Sequence, residues 1–348
     1  MKRSQLIKAF SQLGKLFLAL GEQQAYHADL QLEEQEFEAL QILIRKQFHY
    51  NGWFTAENVQ KSLIQLGLQL NTKSLEEWVS NYQFSESPKR VGIIMAGNIP
   101  LVGFHDFLTV LLSGNIAYCK LSSDDKTLLP ALSKLLCAWE PLLSDRILFA
   151  EGPMKDLDAV IATGSDNSLK YFEQYFGKYP HVFRRNRTSV AVLTGNETPD
   201  QMEALGHDIF SYFGLGCRNV THLIIPKNYV IDTFFNGIVK FGDIVNHHKY
   251  ANNYDYQKAI HLMNREAILD NHFVLLKESE VLFSPLGMLH YHTYQNESEV
   301  QTYLQTHASD IQAVVGEQYI PFGQSQCPNL TDYADGIDTF EFLNQLVD

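Results

Sequence analysis

Cysteine is scarce and scattered in this chain. Four occur in 348 residues, at Cys119, Cys137, Cys217 and Cys327. None forms a CxxC pair, so neither a zinc ribbon nor a disulfide framework is expected, and the usage fits a reducing compartment. Basic charge is also short. There are 27 Lys and Arg against 40 Asp and Glu, a net charge of −13. No helix or strand carries a basic face, which argues against a nucleic-acid partner. No apolar segment approaches the roughly 18 residues that a membrane span needs. Met1-Lys-Arg-Ser-Gln leads into an amphipathic run and not into a signal-peptide core. There is no internal repeat and no low-complexity linker. These absences predict a cytoplasmic protein.

What is present is ordinary for a globular chain: 45% hydrophobic and 19% charged residues, over a length that holds two domains. Residues 1–85 read as a helical arm. Leu6, Phe10, Leu13, Phe17 and Leu20 recur at helical spacing, as do Phe37, Leu40, Leu43 and Ile44 between Glu33 and Arg45. Thr55 is a plausible N-cap, with Asn58 where a capping box would place Glu or Gln. From Arg90 the pattern becomes strand and helix in alternation. Val91–Ala96, Ile116–Leu121, Asp158–Ala162, Val182–Arg185 and Ser189–Leu193 read as strands, with helices over 102–112, 126–139 and 168–176. That alternation predicts a parallel sheet covered on both faces, with ligands at the carboxyl ends of the strands. Three polar loops fall there: Gly97-Asn98, Lys120-Leu-Ser122 and Thr163-Gly164-Ser165. A second unit follows Gly195-Asn-Glu-Thr-Pro199, with further strands expected at Val281-Leu-Phe and Met288-Leu-His-Tyr.

The second unit opens on the most informative stretch. A helix-like run from Gln201 to Tyr212 meets Gly214-Leu-Gly216-Cys217-Arg218-Asn219, and Val220 to Ile225 then reads as a strand closed by Pro226. Glycines at a helix end permit left-handed backbone and close approach. A cysteine on such a turn is reachable, and Arg218 beside it favours the thiolate that attacks carbonyl carbon. The competing reading is a small buried residue where helix turns to strand. His247-His248 and His290-Tyr-His292 lack a third ligand at a metal-binding offset, and Asp332, Asp335 and Asp338 lack the pattern of a calcium loop, so no metal is expected.

Met95-Ala-Gly-Asn98-Ile-Pro100, Lys120 with its serines, Ala162-Thr-Gly-Ser165, Gly214-Leu-Gly-Cys217-Arg-Asn-Val and Pro321-Phe-Gly with Asp332-Tyr-Ala-Asp-Gly-Ile-Asp-Thr together resemble the aldehyde dehydrogenase superfamily. Within it, residues 90–345 are most similar to acyl-CoA reductases of the LuxC type. The resemblance implies two doubly wound α/β domains with an N-terminal helical arm. The expected boundaries are 1–85 for the arm, 86–195 for cofactor binding, 196–320 for catalysis and 321–348 for a segment packing back on the core. It implies that Cys217 forms a thioester and that Asn98 holds the oxyanion with the nucleophile's backbone N–H. Lys120 would meet the adenosine ribose or its phosphate, and Gly164 and Ser165 would lie along the pyrophosphate. Taken singly, Asn98 could be a turn residue, Lys120 a solvated lysine and Ser165 only an N-cap; their order at strand ends favours function.

The sequence departs from the superfamily where hydrolytic members carry a water-activating glutamate. Here Arg185 to Leu193 holds no acid before Glu197. Glu280 stands one place out of register for the glutamate that grips the nicotinamide ribose. NADPH is expected over NADH, because Ser122, Ser123 and Lys120 can receive a 2′-phosphate where NAD-preferring relatives hold a glutamate; Asp124 and Asp125 oppose this if either points inward. The implied reaction is reduction of an acyl-CoA to an aldehyde through acyl-Cys217. The alternatives are an acyl-phosphate reductase of the γ-glutamyl phosphate kind and a non-catalytic partner that holds acyl groups for a synthetase. Expected partners are the acyl-CoA substrate and either further copies of the chain or an acyl-protein synthetase.

Overall fold

The computed structural model describes residues 1–346. The chain divides into two compact units, Met1–Arg185 with Asn329–Asp348, and Asn186–Pro328.

The first unit begins with four helices: α1 (Arg3–Gly21), α2 (Glu34–Tyr50), α3 (Ala56–Gln69) and α4 (Thr72–Val79). The apolar spacing in α1 buries Leu6, Phe10, Leu13 and Phe17. Thr55 caps α3 by accepting the Asn58 N–H at 3.2 Å, the role its sequence position suggests. Then come β1 (Arg90–Ile94), α5 (Phe104–Leu112), β2 (Ile116–Lys120), α6 (Leu128–Trp139), β3 (Ile147–Phe149), β4 (Ala159–Thr163), α7 (Asp166–Phe176) and β5 (His181–Arg184). These strands form a parallel sheet in the order β3-β2-β1-β4-β5. The chain runs from β1 out through β2 to β3, then crosses back to β4 on the other side of β1. The switch point is therefore the crevice beyond the carboxyl ends of β1 and β4, where ligands of such sheets bind.

The second unit contains β6 (Thr188–Val192), α8 (Pro199–Phe210), β7 (Val220–Pro226), α9 (Ile231–Gly237), α10 (His248–Met263), β8 (Leu269–Asp270), β9 (Leu275–Glu278), β10 (Met288–Tyr294), α11 (Glu297–Thr306) and β11 (Ile311–Gly316). Its sheet has the order β11-β6-β7-β10-β9-β8, parallel except that β8 runs antiparallel to β9. β6, which the alternation of the sequence joins to the first series of strands, pairs with β7 and β11 instead. Val281-Leu-Phe is not a strand. Val281 is 61% exposed, and its carbonyl accepts from the rings of His222 and His290 rather than from a neighbouring strand.

The C-terminal α12 (Thr339–Asn344) returns to the first unit. Phe340 is fully buried there, stacked on Tyr82 at 4.6 Å and edge-on to Trp78. Arg184 at the end of β5 pairs with Asp106 of α5 and donates to Thr339 Oγ1 at 2.9 Å. This buried fork ties sheet, helix and C-terminal segment together. Asp338 caps α12 and accepts from Tyr82 at 2.6 Å, and Asp335 accepts the Arg185 N–H. The acids of the tail are thus used in folding.

Candidate active site

Five of the six site residues expected from sequence lie at the carboxyl edge of the first sheet: Asn98 after β1, Lys120 and Ser122 at the end of β2, Gly164 and Ser165 after β4. The switch point gathers them. The loop after β1 is pinned at three places, with the exposed Asn98 between them. The Gly97 carbonyl accepts from Asn51 at 3.4 Å, the Pro100 carbonyl from the Ser62 hydroxyl at 2.7 Å, and the Leu101 N–H donates to Asp125 at 2.7 Å. Gly97 is required here because a side chain would begin 2.5 Å from Ser122 Oγ. Leu101 has a φ of +58°, a left-handed geometry that Asp125 helps to hold.

Asp125 is a residue whose role the sequence left open. It is the inward one of the acidic pair, while Asp124 is exposed. Burial pushes its carboxyl up to about 6, and the Leu101 N–H opposes that shift. Its second oxygen is buried and has no hydrogen-bond partner among the described residues. Asp124 instead gives its backbone N–H to Ser122 Oγ at 3.2 Å.

The start of α7 has the form of an anion cradle. Ser165 accepts the Ser168 N–H at 3.4 Å, and a side chain at Gly164 would begin 2.8 Å from Ser168 Cβ and 3.0 Å from the Phe172 ring. Glycine thus allows strand end and helix to approach closely, and the helix N-terminus favours a phosphate. With Lys120 at the end of β2, on the other side of β1, this donor set fits a dinucleotide.

The sixth residue, Cys217, belongs to the second unit, ahead of β7. Among the four cysteines it is exposed, Cys119 is buried, and Cys137 and Cys327 are half-buried. Burial pushes the Cys119 thiol far up, which removes it as a nucleophile. The helix before the turn ends sooner than the sequence suggests, at Phe210. Tyr212, Phe213 and Gly214 then follow with φ of 52°, 60° and 81°. Two side-chain-bearing residues in left-handed backbone cost of order 1–3 kcal/mol each, and persist only when the surroundings over-determine them.

Asn219 supplies that constraint, and the sequence reading gave it no role. It is fully buried. Its Oδ1 accepts the Gly216 N–H at 2.7 Å, and its Nδ2 reaches the carbonyls of Asp208, Ile209 and Ser211 at 2.9–3.1 Å. One side chain thus ties the carbonyls at the end of α8 to the backbone next to Cys217. Ser189 on β6 donates to the Cys217 carbonyl at 3.1 Å. Asp208 accepts the N–H groups of Gly323 at 2.6 Å and Ser325 at 2.9 Å, which ties the 323–325 segment to α8. Arg218 Nη1 lies 3.4 Å from the Ser325 carbonyl, so the guanidinium leans toward that segment. The Gln326 amide lies beside Gly216, its oxygen 3.8 Å from where a side chain there would begin. Its buried nitrogen has no hydrogen-bond partner among the described residues. Only the adjacency of Gly216, Cys217 and Asn219 was visible in sequence; Asp208 and Gln326 carry no local signal.

His290 and His292 are joined by a third histidine, His222 on β7. His222 Nε2 lies 2.7 Å from His292 Nδ1. Burial lowers the pKa of all three, His222 to about 3. Among the described residues no group of three or more His, Cys, Asp or Glu side chains has a geometry that could hold a metal, and no helix is long and apolar enough to cross a membrane. A cavity of about 880 Å³ lies against α7, β5 and α12, but none of the six expected site residues lines it.

Comparison with known proteins matches residues 18–225 to the acyl-CoA reductase (LuxC) family. The chain belongs to that family. One curated relative, long-chain acyl-protein thioester reductase 2 of Photobacterium leiognathi, is 25% identical over 228 residues, 59% of this chain and 47% of the relative. This LuxC-family chain therefore spans about half the length of the curated relative it matches. Among solved structures, the P. syringae indole-3-acetaldehyde dehydrogenase AldA, in complex with NAD+ and IAA, superposes with a TM-score of 0.65 at 12% identity, over 91% of this chain and 72% of that one. An NAD+ complex of a Bacillus cereus aldehyde dehydrogenase gives 0.62 at 12% identity, over 91% and 72%. The fold is that of the aldehyde dehydrogenases.

Proposed function

We propose that this protein reduces an acyl thioester to an aldehyde through an acyl group held on Cys217. The observation that carries the reading is an exposed cysteine on a turn of left-handed residues, braced by a buried asparagine, in a chain of the LuxC family. Acyl-CoA is the donor in this reading; the P. leiognathi relative is named for an acyl-protein thioester.

The Cys217 thiolate attacks the acyl carbonyl carbon, and the carbon–sulfur bond to the carrier breaks, so that the carrier leaves as its thiolate. Asn98 donates a hydrogen bond to the oxyanion without a change of charge. Ser165 and the first N–H groups of α7 bind the pyrophosphate of the cofactor, and Lys120 with Ser122 takes the ribose end. A bound nicotinamide would supply the hydride for the thioester carbon, and the resulting hemithioacetal oxyanion would lie where Asn98 donates. Cleavage of the carbon–sulfur bond then returns the Cys217 thiolate and releases the aldehyde. No carboxylate stands between Arg185 and Leu193 to activate water, so hydrolysis of the acyl-enzyme is slow.

Incubation with an acyl-CoA in the absence of nicotinamide should leave an acyl group that hydroxylamine removes, mapped by peptide analysis to Cys217. A reduced nicotinamide should then discharge it as aldehyde; the inward Asp125 opposes NADPH while Lys120 and Ser122 favour it, and the rates with NADPH and NADH at equal concentration decide between them. Cys217→Ser should abolish labelling, because no general base is assigned to the hydroxyl. Labelling at Cys119, Cys137 or Cys327, or full reductase activity in the serine variant, would place the chemistry elsewhere. For Asn98→Ala, turnover should fall by on the order of 10²–10³ at unchanged folding. A drop in melting temperature with normal turnover per folded molecule would make Asn98 a turn residue only.

A further inference from the structure

The N-terminal helices reach the loop that carries Asn98. A four-residue turn, Ile99 to Val102, follows that asparagine and is closed by the Val102 N–H donating to the Ile99 carbonyl at 3.4 Å. Proline stands at its second place, and Leu101, with a φ of +58°, at its third. This is the pattern of a type II turn, whose third place favours glycine or asparagine. Leucine has no such preference, and here its side chain is buried. Rotating the Pro100–Leu101 peptide plane would convert the turn to type I, with negative φ at the third place, and so relieve the leucine. Both polar groups of that one peptide are held by side chains from different elements. Ser62 of α3 donates to the Pro100 carbonyl at 2.7 Å, and Asp125, ahead of α6, accepts the Leu101 N–H at 2.7 Å. Ser62 is 7% exposed and Asp125 8%, so water has little room to take the place of either.

We propose that Ser62 and Asp125 form a clamp on the Pro100–Leu101 peptide that fixes the orientation of Asn98, so that the N-terminal helical arm serves the reaction as well as the fold. Both are positioning residues: they act on the turn, not on the substrate. The proposal rests on the assignment of Asn98 as oxyanion donor above. Such a donor works only when it is already aimed at the place where charge develops, and a misplacement of about 1 Å can cost roughly 10²-fold in rate. Asn98 is exposed and lies two residues before the clamped peptide. On its other side Asn51, at the end of α2, donates to the Gly97 carbonyl at 3.4 Å. The arm thus anchors the backbone both before and after the asparagine. Release of the clamp lets the strained turn flip and moves the backbone beside it, while the helices stay in place.

The test uses the full chain in a double-mutant cycle with Asn98→Ala, read as kcat for acyl-CoA reduction at saturating cofactor. Ser62→Ala and Asp125→Ala should each lower kcat by about tenfold or more, with KM for the cofactor within about twofold of native. In the Asn98→Ala background the same changes should lower kcat by less than about twofold, because the group they aim is gone. Asp125→Asn keeps an oxygen for the Leu101 N–H and should retain kcat within about threefold. A second readout does not need turnover. By hydrogen exchange, the peptide containing Leu101 and Val102 should exchange faster in Asp125→Ala than in the native chain or in Asp125→Asn, with α1 and α3 unchanged. Effects that multiply with that of Asn98→Ala, a loss carried by cofactor KM instead of kcat, or native exchange at Leu101 in Asp125→Ala overturns the clamp and leaves Asn98 as the donor. A native kcat in Asn98→Ala overturns the donor assignment, and the clamp with it.

Discussion

At the scale of single residues, Asn219 holds the turn that carries Cys217. The two hydrogens of its amide are shared among three carbonyls at the end of α8, and its oxygen holds the Gly216 N–H. Truncation to alanine removes every one of these at once in a fully buried place. The Asn219→Ala variant should lose about 3 kcal/mol or more, since each buried group left unsatisfied costs roughly 1–3 kcal/mol. It should also lose acyl labelling, because the turn is no longer held in its left-handed path. Urea unfolding and labelling on one preparation check both; a loss under about 1 kcal/mol with normal labelling would show that the turn is self-supporting. The cysteine was legible in sequence because glycines and an arginine surround it. The brace was not, because asparagine beside a turn is common and its burial is decided by where α8 stops.

At the scale of elements, strands were readable where both faces are buried. The runs in β1, β4 and β7 are apolar because helices cover them on both sides. The same signal misled at Val281-Leu-Phe, where the chain bends at Leu282 and the Val281 carbonyl serves histidine rings. Those histidines make β7 and β10 sensitive to acid. His222 is fully buried and its pKa is lowered to about 3, below the roughly 6.5 of an unfolded chain. The native state therefore binds fewer protons than the unfolded state between these values. The stability is complete above about pH 6.5 and is lost as pH falls toward 3. At pH 5 this group alone should cost about 2 kcal/mol relative to neutral pH, and His290 and His292 shift in the same direction. Denaturant midpoints at pH 7 and pH 5 test it, with tryptic release of β7 and β10 peptides as a local reporter. Equal midpoints at the two values would mean that the imidazoles stay hydrated.

At the scale of the whole molecule, the C-terminal segment returns to the unit that contains the N-terminus. Phe340 enters the aromatic cluster of Trp78 and Tyr82, and the Arg184–Asp106 pair reaches Thr339. Phe340→Ala should cost about 3–5 kcal/mol. Faster hydrogen exchange should follow in residues 1–185 and 329–346, and the amides of β6 and β7 should keep their protection. Equal loss across 186–328 would mean that the units unfold together.

The sequence by itself determined the alternation of strands and helices, the three polar loops at strand ends and the glycine–cysteine turn. These are local matters: side-chain period sets the element, and glycine or a capping serine sets its end. Tertiary structure alone decided which sheet β6 joins, which aspartate of the Asp124–Asp125 pair points inward, and that three histidines from two strands share one apolar space. It also decided that an uncharged cavity lies against Phe213, Gly214 and Leu215. Each of these depends on residues far apart in the chain being brought to one place, and their individual types carry no trace of that distance.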